Sequence, residues 1–117
     1  MDTPDPATPL RILHLEDSIP DHRLVSRALQ QAGFSHTITR VDTLAAFSES
    51  LSTGAVDLVL ADYRLPGFTA LDAWSAMTAA GARLPFILLS GAIGEAAAVT
   101  AIQTGISDYL HKDDLAP

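Results

Sequence analysis

An open parallel α/β sheet with helices on both faces is the fold the sequence predicts. Two observations predict it: five short apolar runs recur along the chain, and amphipathic helical stretches separate them in alternation. A strand that returns to pair in parallel with an earlier one needs a long crossover, and a helix on a right-handed path supplies it. A third observation bounds the answer. With 117 residues, 48% hydrophobic and 18% charged, the chain is one domain with enough apolar mass to bury a core.

The first run, LRILHLE (10–16), is dense in Leu and Ile, as a strand buried on both faces is. In IPDHRLVSRALQQAG, Leu24, Val25, Ala28 and Leu29 share a helical face, with Pro20 near the start and Gly33 as the stop. HTITRV (36–41) alternates and reads as an edge strand. TLAAFSESLSTG then sets Leu44, Phe47 and Leu51 at helical spacing before Gly54. VDLVLADY (56–63) is the third strand. ALDAWSAMTAAG places Leu71, Trp74 and Met77 or Thr78 on one side, closed by Gly81, so Trp74 reads as helix core. PFILLSG (85–91) is the fourth strand. GEAAAVTAIQTG offers Ala96, Val99 and Ile102 or Ala98 as its apolar face, closed by Gly105, and DYLHK (108–112) is the fifth strand. Each helix ends at a glycine, the residue that adopts a left-handed cap most easily. Residues 1–9 are acidic and proline-rich and are predicted to be a disordered lead-in to a domain over 10–117.

Composition excludes several classes. Without cysteine there is no disulfide framework and no thiolate metal site, which fits a reducing compartment. The N-terminus has no basic start or apolar core, and no apolar run approaches the ~20 residues that span a membrane. The expected setting is therefore the cytoplasm, with no membrane contact. The net charge is −7, with fourteen acids against seven bases. Arg11, Arg23, Arg27, Arg40, Arg64 and Arg83 are scattered, which argues against direct nucleic-acid binding. His14 lies inside the first strand and is expected to be a core or half-buried side chain. His22, His36 and His111 show no partner pattern, so metal binding through histidine is not expected.

In open α/β sheets ligands sit beyond the carboxyl ends of the strands. There the first strand delivers Glu16-Asp17, the third Asp62, the fourth Ser90-Gly91 and the fifth Lys112, the chain's only lysine; the second delivers Arg40 and Asp42. Singly, each has an ordinary explanation: a helix N-cap, a turn former before YRLPG, a loop hydroxyl, a surface lysine. Together they bring three carboxylates, a hydroxyl and an ammonium to one edge. Crowded carboxylates raise one another's pKa unless a cation intervenes. Oxygen ligands suit Mg²⁺. Ammonium, hydroxyl and metal can neutralise three phosphoryl oxygens, and a carboxylate can accept the group as an aspartyl phosphate.

The fragments LEDS (Glu16, Asp17), LVLADYRLPG (Asp62), LLSG (Ser90) and DYLHK (Tyr109, Lys112), in this order over about residues 10–115, resemble the receiver domains of bacterial two-component response regulators, of the chemotaxis-regulator type. The resemblance implies a flavodoxin-like five-stranded sheet of order 2-1-3-4-5. It implies Asp62 as phosphoacceptor, taking its phosphoryl group from a histidine kinase or phosphotransfer protein. It implies Mg²⁺ held by Asp17, Asp62 and the backbone carbonyl of Arg64, with Glu16 acting through water or at longer range. Ser90 and Lys112 then each take a phosphoryl oxygen, and Tyr109 is the aromatic switch, though Tyr109 alone reads equally well as a packed strand aromatic. The conformational shift would control a fused or partner output module. The only chemistry implied is the domain's own phosphorylation and dephosphorylation, so it is not an enzyme acting on other substrates.

The sequence also departs from the family pattern. Lys112-Asp113 stands where Lys-Pro is usual, which predicts a trans peptide or a strained cis one, with Asp113 competing for Lys112. Arg64, two residues after Asp62, either screens the phosphoryl group from water or points outward. KDDLAP looks like the start of a last helix, with Asp113 or Asp114 as N-cap, but the helix itself is expected to be missing. That predicts a piece of a larger protein, an apolar face left open, and self-association through it. Three rivals fit less well. A haloacid-dehalogenase-like phosphatase wants a second aspartate where Arg64 stands. A flavodoxin wants a Ser/Thr/Gly-rich phosphate loop where LEDSIPD is acidic. A pseudo-receiver acting as an interaction module would not need the complete set of acids, hydroxyl and lysine.

Overall fold

The computed structural model describes residues 8–33, 35–91 and 100–112. The elements are β1 (Leu10–Leu15), α1 (Ile19–Ala32), β2 (His36–Val41), α2 (Leu44–Ser52), β3 (Leu58–Asp62), β4 (Arg64–Leu65), β5 (Phe68–Thr69), α3 (Ala70–Ala79), β6 (Phe86–Ser90) and β7 (Asp108–His111). Residues 100–103 are also helical. Five strands form one parallel sheet in the order β2-β1-β3-β6-β7, which is the expected 2-1-3-4-5. The β4–β5 hairpin was not foreseen: YRLPG folds back as a two-residue antiparallel pair, Arg64 with Thr69 and Leu65 with Phe68.

Alternate residues of each strand face opposite ways, so the sheet carries two apolar layers. On one side Leu13, Leu15, Val59, Phe86 and Leu88 pack with Phe47 of α2 and Ala73 and Met77 of α3. Phe47, Phe86 and Met77 are fully buried, each worth roughly 1.5–3 kcal/mol. On the other side Ile12, Leu60 and Leu89 pack with Val25, and Leu29 joins them. Beside α1, Val25, Leu29, Leu60 and Leu89, with Ile87 and Leu110, line a cavity of about 240 Å³, and Leu110 is exposed.

The start of α1 is set locally. Ser18 is extended and its hydroxyl accepts from the Asp21 amide at 3.3 Å. Pro20 occupies the first turn, where an N–H would have no helical partner. Gly33, at φ 83°, ends the helix. At α3 the Asp72 carboxylate accepts from the Thr69 amide at 2.9 Å, satisfying a free donor at the helix entry.

The fourth helix corrects the sequence reading. Ile102, offered with Ala98 as an alternative for its apolar face, is exposed, and Ala101 is buried. One residue is a 100° rotation about a helix axis, and the small alanine allows a close approach to the core. Ala96, Ala98 and Val99 lie outside the described residues, as do Asp113, Asp114, the Lys112–Asp113 peptide and residues 1–7 of the lead-in. Trp74 is half-buried, its ring edge-on to Phe86 at 5.5 Å.

Candidate functional site

Parallel strands all end on the same edge, so the sheet gathers the predicted residues there. β1 hands over to Glu16 and Asp17, and β3 ends on Asp62. Asp62 pairs in register with Leu89, so Ser90 lies one residue further along the neighbouring strand. Ser90 in turn pairs with His111, so Lys112 follows at the end of β7. Carboxylate oxygens of Glu16, Asp17 and Asp62 all lie within 4.8 Å of one another, a donor set that fits a hard divalent cation.

The Lys112 ammonium sits inside this cluster. It donates to Glu16 Oε1 at 2.6 Å and to Asp21 Oδ2 at 2.8 Å, and lies 3.6 Å from Asp62 Oδ2. Glu16 is fully buried, and its other oxygen accepts from the Ser18 amide at 3.2 Å. Its backbone carbonyl accepts from Arg40 Nη1 at 3.1 Å, and Arg40 also pairs with Asp42 at 3.5 Å. Burial pushes the Glu16 carboxyl up and Asp62's charge adds to this, against the hydrogen bond from Lys112. Burial likewise pushes Asp62 up, opposed by Lys112 and reinforced by Asp17. Burial works against the charge of Lys112, but the bonds to Asp21 and Glu16 and the charges of Glu16 and Asp62 outweigh it and hold the ammonium up.

The remaining predicted residues surround this core. Ser90 is buried. Tyr109 is half-buried and packs against the cluster on the α2–α3 side of the sheet. Arg64 is exposed, with its guanidinium 5.7 Å from the centre of the Tyr63 ring.

Two features escaped the sequence reading. Asp21 joins the Lys112 cluster from the first turn of α1, where an aspartate reads only as a favourable helix start. The second is a partner for His22 that no sequence pattern indicated: its Nδ1 lies 2.9 Å from Nδ1 of His14. One ring donates its Nδ1–H and the other accepts, so the accepting ring is neutral. Burial depresses His14 to about 3, and the charges of His22, Lys112 and Arg40 add to it. Burial lowers His22 as well. His14 Nε2 has no hydrogen-bond partner among the described residues. Eight positions apart and across a helix start, the pair follows no local spacing rule.

Chemically, the edge offers a half-buried carboxylate beside two further carboxylates suited to a cation, with an ammonium close by. That is an arrangement for taking up a phosphoryl group. Comparison with known proteins agrees. The model of the response regulator receiver domain matches residues 12–115. The swarming motility regulation protein RssB of Serratia marcescens is 33% identical over 103 residues, 88% of this chain but 46% of RssB. The chemotaxis protein CheY of Pseudomonas aeruginosa is 26% identical over 105 residues, 88% of this chain and 84% of CheY. Among solved structures, the signal receiver domain of the response regulator NarL from Mycobacterium tuberculosis superposes with a TM-score of 0.78 at 27% identity, covering 90% of this chain and 85% of that one. The sheet order, its acidic carboxyl edge and a family match over nearly the whole chain lead to one conclusion: the chain belongs to the family of response regulator receiver domains.

Proposed function

We propose that Asp62 is the phosphoacceptor of this receiver and that Lys112 and Ser90 bind the phosphoryl group it accepts. The observation that carries the reading is the convergence of Asp62 with Glu16, Asp17 and the Lys112 ammonium at the end of β3. A carboxylate oxygen of Asp62 attacks the phosphorus of a phosphohistidine. The new O–P bond forms as the P–N bond breaks, and the electron pair returns to the donor imidazole, which leaves neutral after taking a proton. Asp17, Asp62 and the Arg64 carbonyl, with Glu16 at longer range, would hold Mg²⁺, which would supply charge neutralisation for the phosphoryl oxygens. Lys112 brings a compact positive charge to a site too crowded for a planar guanidinium. Ser90, at the end of the strand beside Asp62, donates its hydroxyl. Tyr109, against the α2–α3 layer, follows that hydroxyl inward, and the change in its packing is what an output module reads.

The donor is a histidine kinase or phosphotransfer protein, and the output lies in the same polypeptide or a partner. The domain's catalysis is confined to its own phosphorylation and dephosphorylation. Cytoplasmic residence accords with the absence, among the described residues, of any helix long and apolar enough to cross a membrane. The cavity beside α1, with Leu110 exposed at its rim, supports self-association through that face. Incubation with acetyl phosphate and Mg²⁺, followed by intact mass, tests the reading. A gain of one phosphoryl mass, absent in Asp62→Asn, is expected. No adduct in the wild type at forcing donor and metal concentrations overturns it.

A further inference from the structure

We propose that Asp21 is a positioning residue that restrains Lys112, holding its ammonium off Asp62 until a phosphoryl group outcompetes it. The inference rests on Asp62 being the acceptor and concerns what the lysine must leave in order to serve it.

An ammonium has three N–H donors. In Lys112 one goes to Glu16 at 2.6 Å and a second to Asp21 at 2.8 Å, while Asp62 at 3.6 Å is beyond hydrogen-bond range. Two of the three donors are thus committed to carboxylates other than the acceptor. The two restraints are unequal. Glu16 is fully buried and cannot lose a cation to water. The Asp21 side chain is 42% exposed, so water replaces the lysine there at small cost. When a phosphoryl group arrives on Asp62, Asp21 is the partner that yields. Its carboxylate also repels the incoming dianion from the same side of the lysine. Asp21 lies on α1 and Lys112 beyond β7, so this contact also ties the first helix to the last described strand, and releasing it loosens that tie.

The sole lysine makes this measurable. Protein labelled with ¹⁵N-lysine has a single side-chain Nζ signal. In chelator, before any ligand is added, Asp21→Asn should shift that signal, a readout independent of metal. At saturating Mg²⁺, titration with beryllium fluoride, a phosphoryl mimic, should move the signal at about five- to tenfold lower concentration in Asp21→Asn than in the wild type, as expected for loss of one half-exposed charged hydrogen bond. Asp21→Glu should restore most of the wild-type value. Glu49→Gln, which removes one remote exposed charge from α2, should leave it unchanged. Asn retains the backbone bond to Ser18, and Asp21→Ser serves if the amide variant fails to fold. An unchanged or raised half-saturation in the Asp21 variants overturns the proposal, as does an equal effect in Glu49→Gln. If beryllium fluoride moves the signal in neither wild type nor variant, the acceptor reading itself fails and the restraint with it.

Discussion

Lys112→Met is the most demanding test of the charge arrangement. Methionine keeps the unbranched stem, which runs past Gly91 with Cδ 4.0 Å from where a β-carbon there would sit, and removes only the ammonium. Glu16, fully buried, then loses its 2.6 Å partner and keeps one backbone amide. Removing one member of a buried ion pair costs about 3–5 kcal/mol, because the other charge is left uncompensated. Against a total stability of roughly 5–15 kcal/mol this is a large fraction. With a urea m value of about 1.5 kcal/mol/M, the unfolding midpoint falls by about 2–3 M. The loss also carries a pH signature. Burial and the charge of Asp62 already raise the Glu16 carboxyl, and Lys112 holds it down. Without Lys112 it rises further. A folded pKa above the unfolded one means that the native state binds the extra proton, so the variant regains stability as pH falls through that value. Urea unfolding followed by Trp74 fluorescence, in chelator, should show a wide gap from wild type near neutral pH and a narrower one near pH ~5. Glu16→Gln placed in the Lys112→Met background should recover more than half of the loss. A gap below about 1 kcal/mol at neutral pH, the size of an exposed ion pair, refutes the reasoning. So does an equal gap at both pH values, or no recovery in the double variant.

Gly105→Ala should destabilise the fold by about 2 kcal/mol, combining a left-handed backbone with crowding. Its φ is +108°, and an added β-carbon would sit 3.1 Å from the Trp74 ring, so an unchanged melting temperature and unchanged Trp74 emission would refute the packing described. The His14–His22 pair should make the protein acid-sensitive. His14 falls from 6.5 to about 3 on folding, so the unfolded chain takes its proton first and stability declines as pH drops between those values. The loss is about 2 kcal/mol by pH ~5. His14→Leu should flatten that limb, and superimposable wild-type and variant curves would contradict the assignment.

The fold was legible because its information is local and repeated. Each apolar run announces a strand, each helix face shows in a few residues, and parallel pairing then forces every strand end to one edge. That is why Glu16, Asp17, Asp62, Ser90 and Lys112 could be placed together from residues up to 96 positions apart. The β4–β5 hairpin was harder to see, because two-residue strands carry no periodicity. Ile102 was misplaced because an alanine-rich helix has no strong apolar stripe, and the packing distance rather than hydrophobicity selects Ala101 for the core.

The Asp21–Lys112 contact marks a different limit. Helical periodicity identifies Val25 and Leu29 as the buried face of α1, and the Ser18 cap fixes where the helix begins. Neither says how the helix crosses the sheet. That angle is set when Val25 and Leu29 settle against Ile12, Leu60 and Leu89. Only with the crossing fixed does the first turn lie over the end of β7, bringing a carboxylate to an ammonium 91 residues away. A shift of one helical position would swing the Asp21 side chain by about 100°. The same packing that buries the apolar stripe of α1 therefore decides whether Lys112 has one hydrogen-bond partner or two, and a core substitution such as Leu29→Ala, far from the acidic edge, should weaken the restraint on the lysine along with the stability of the fold.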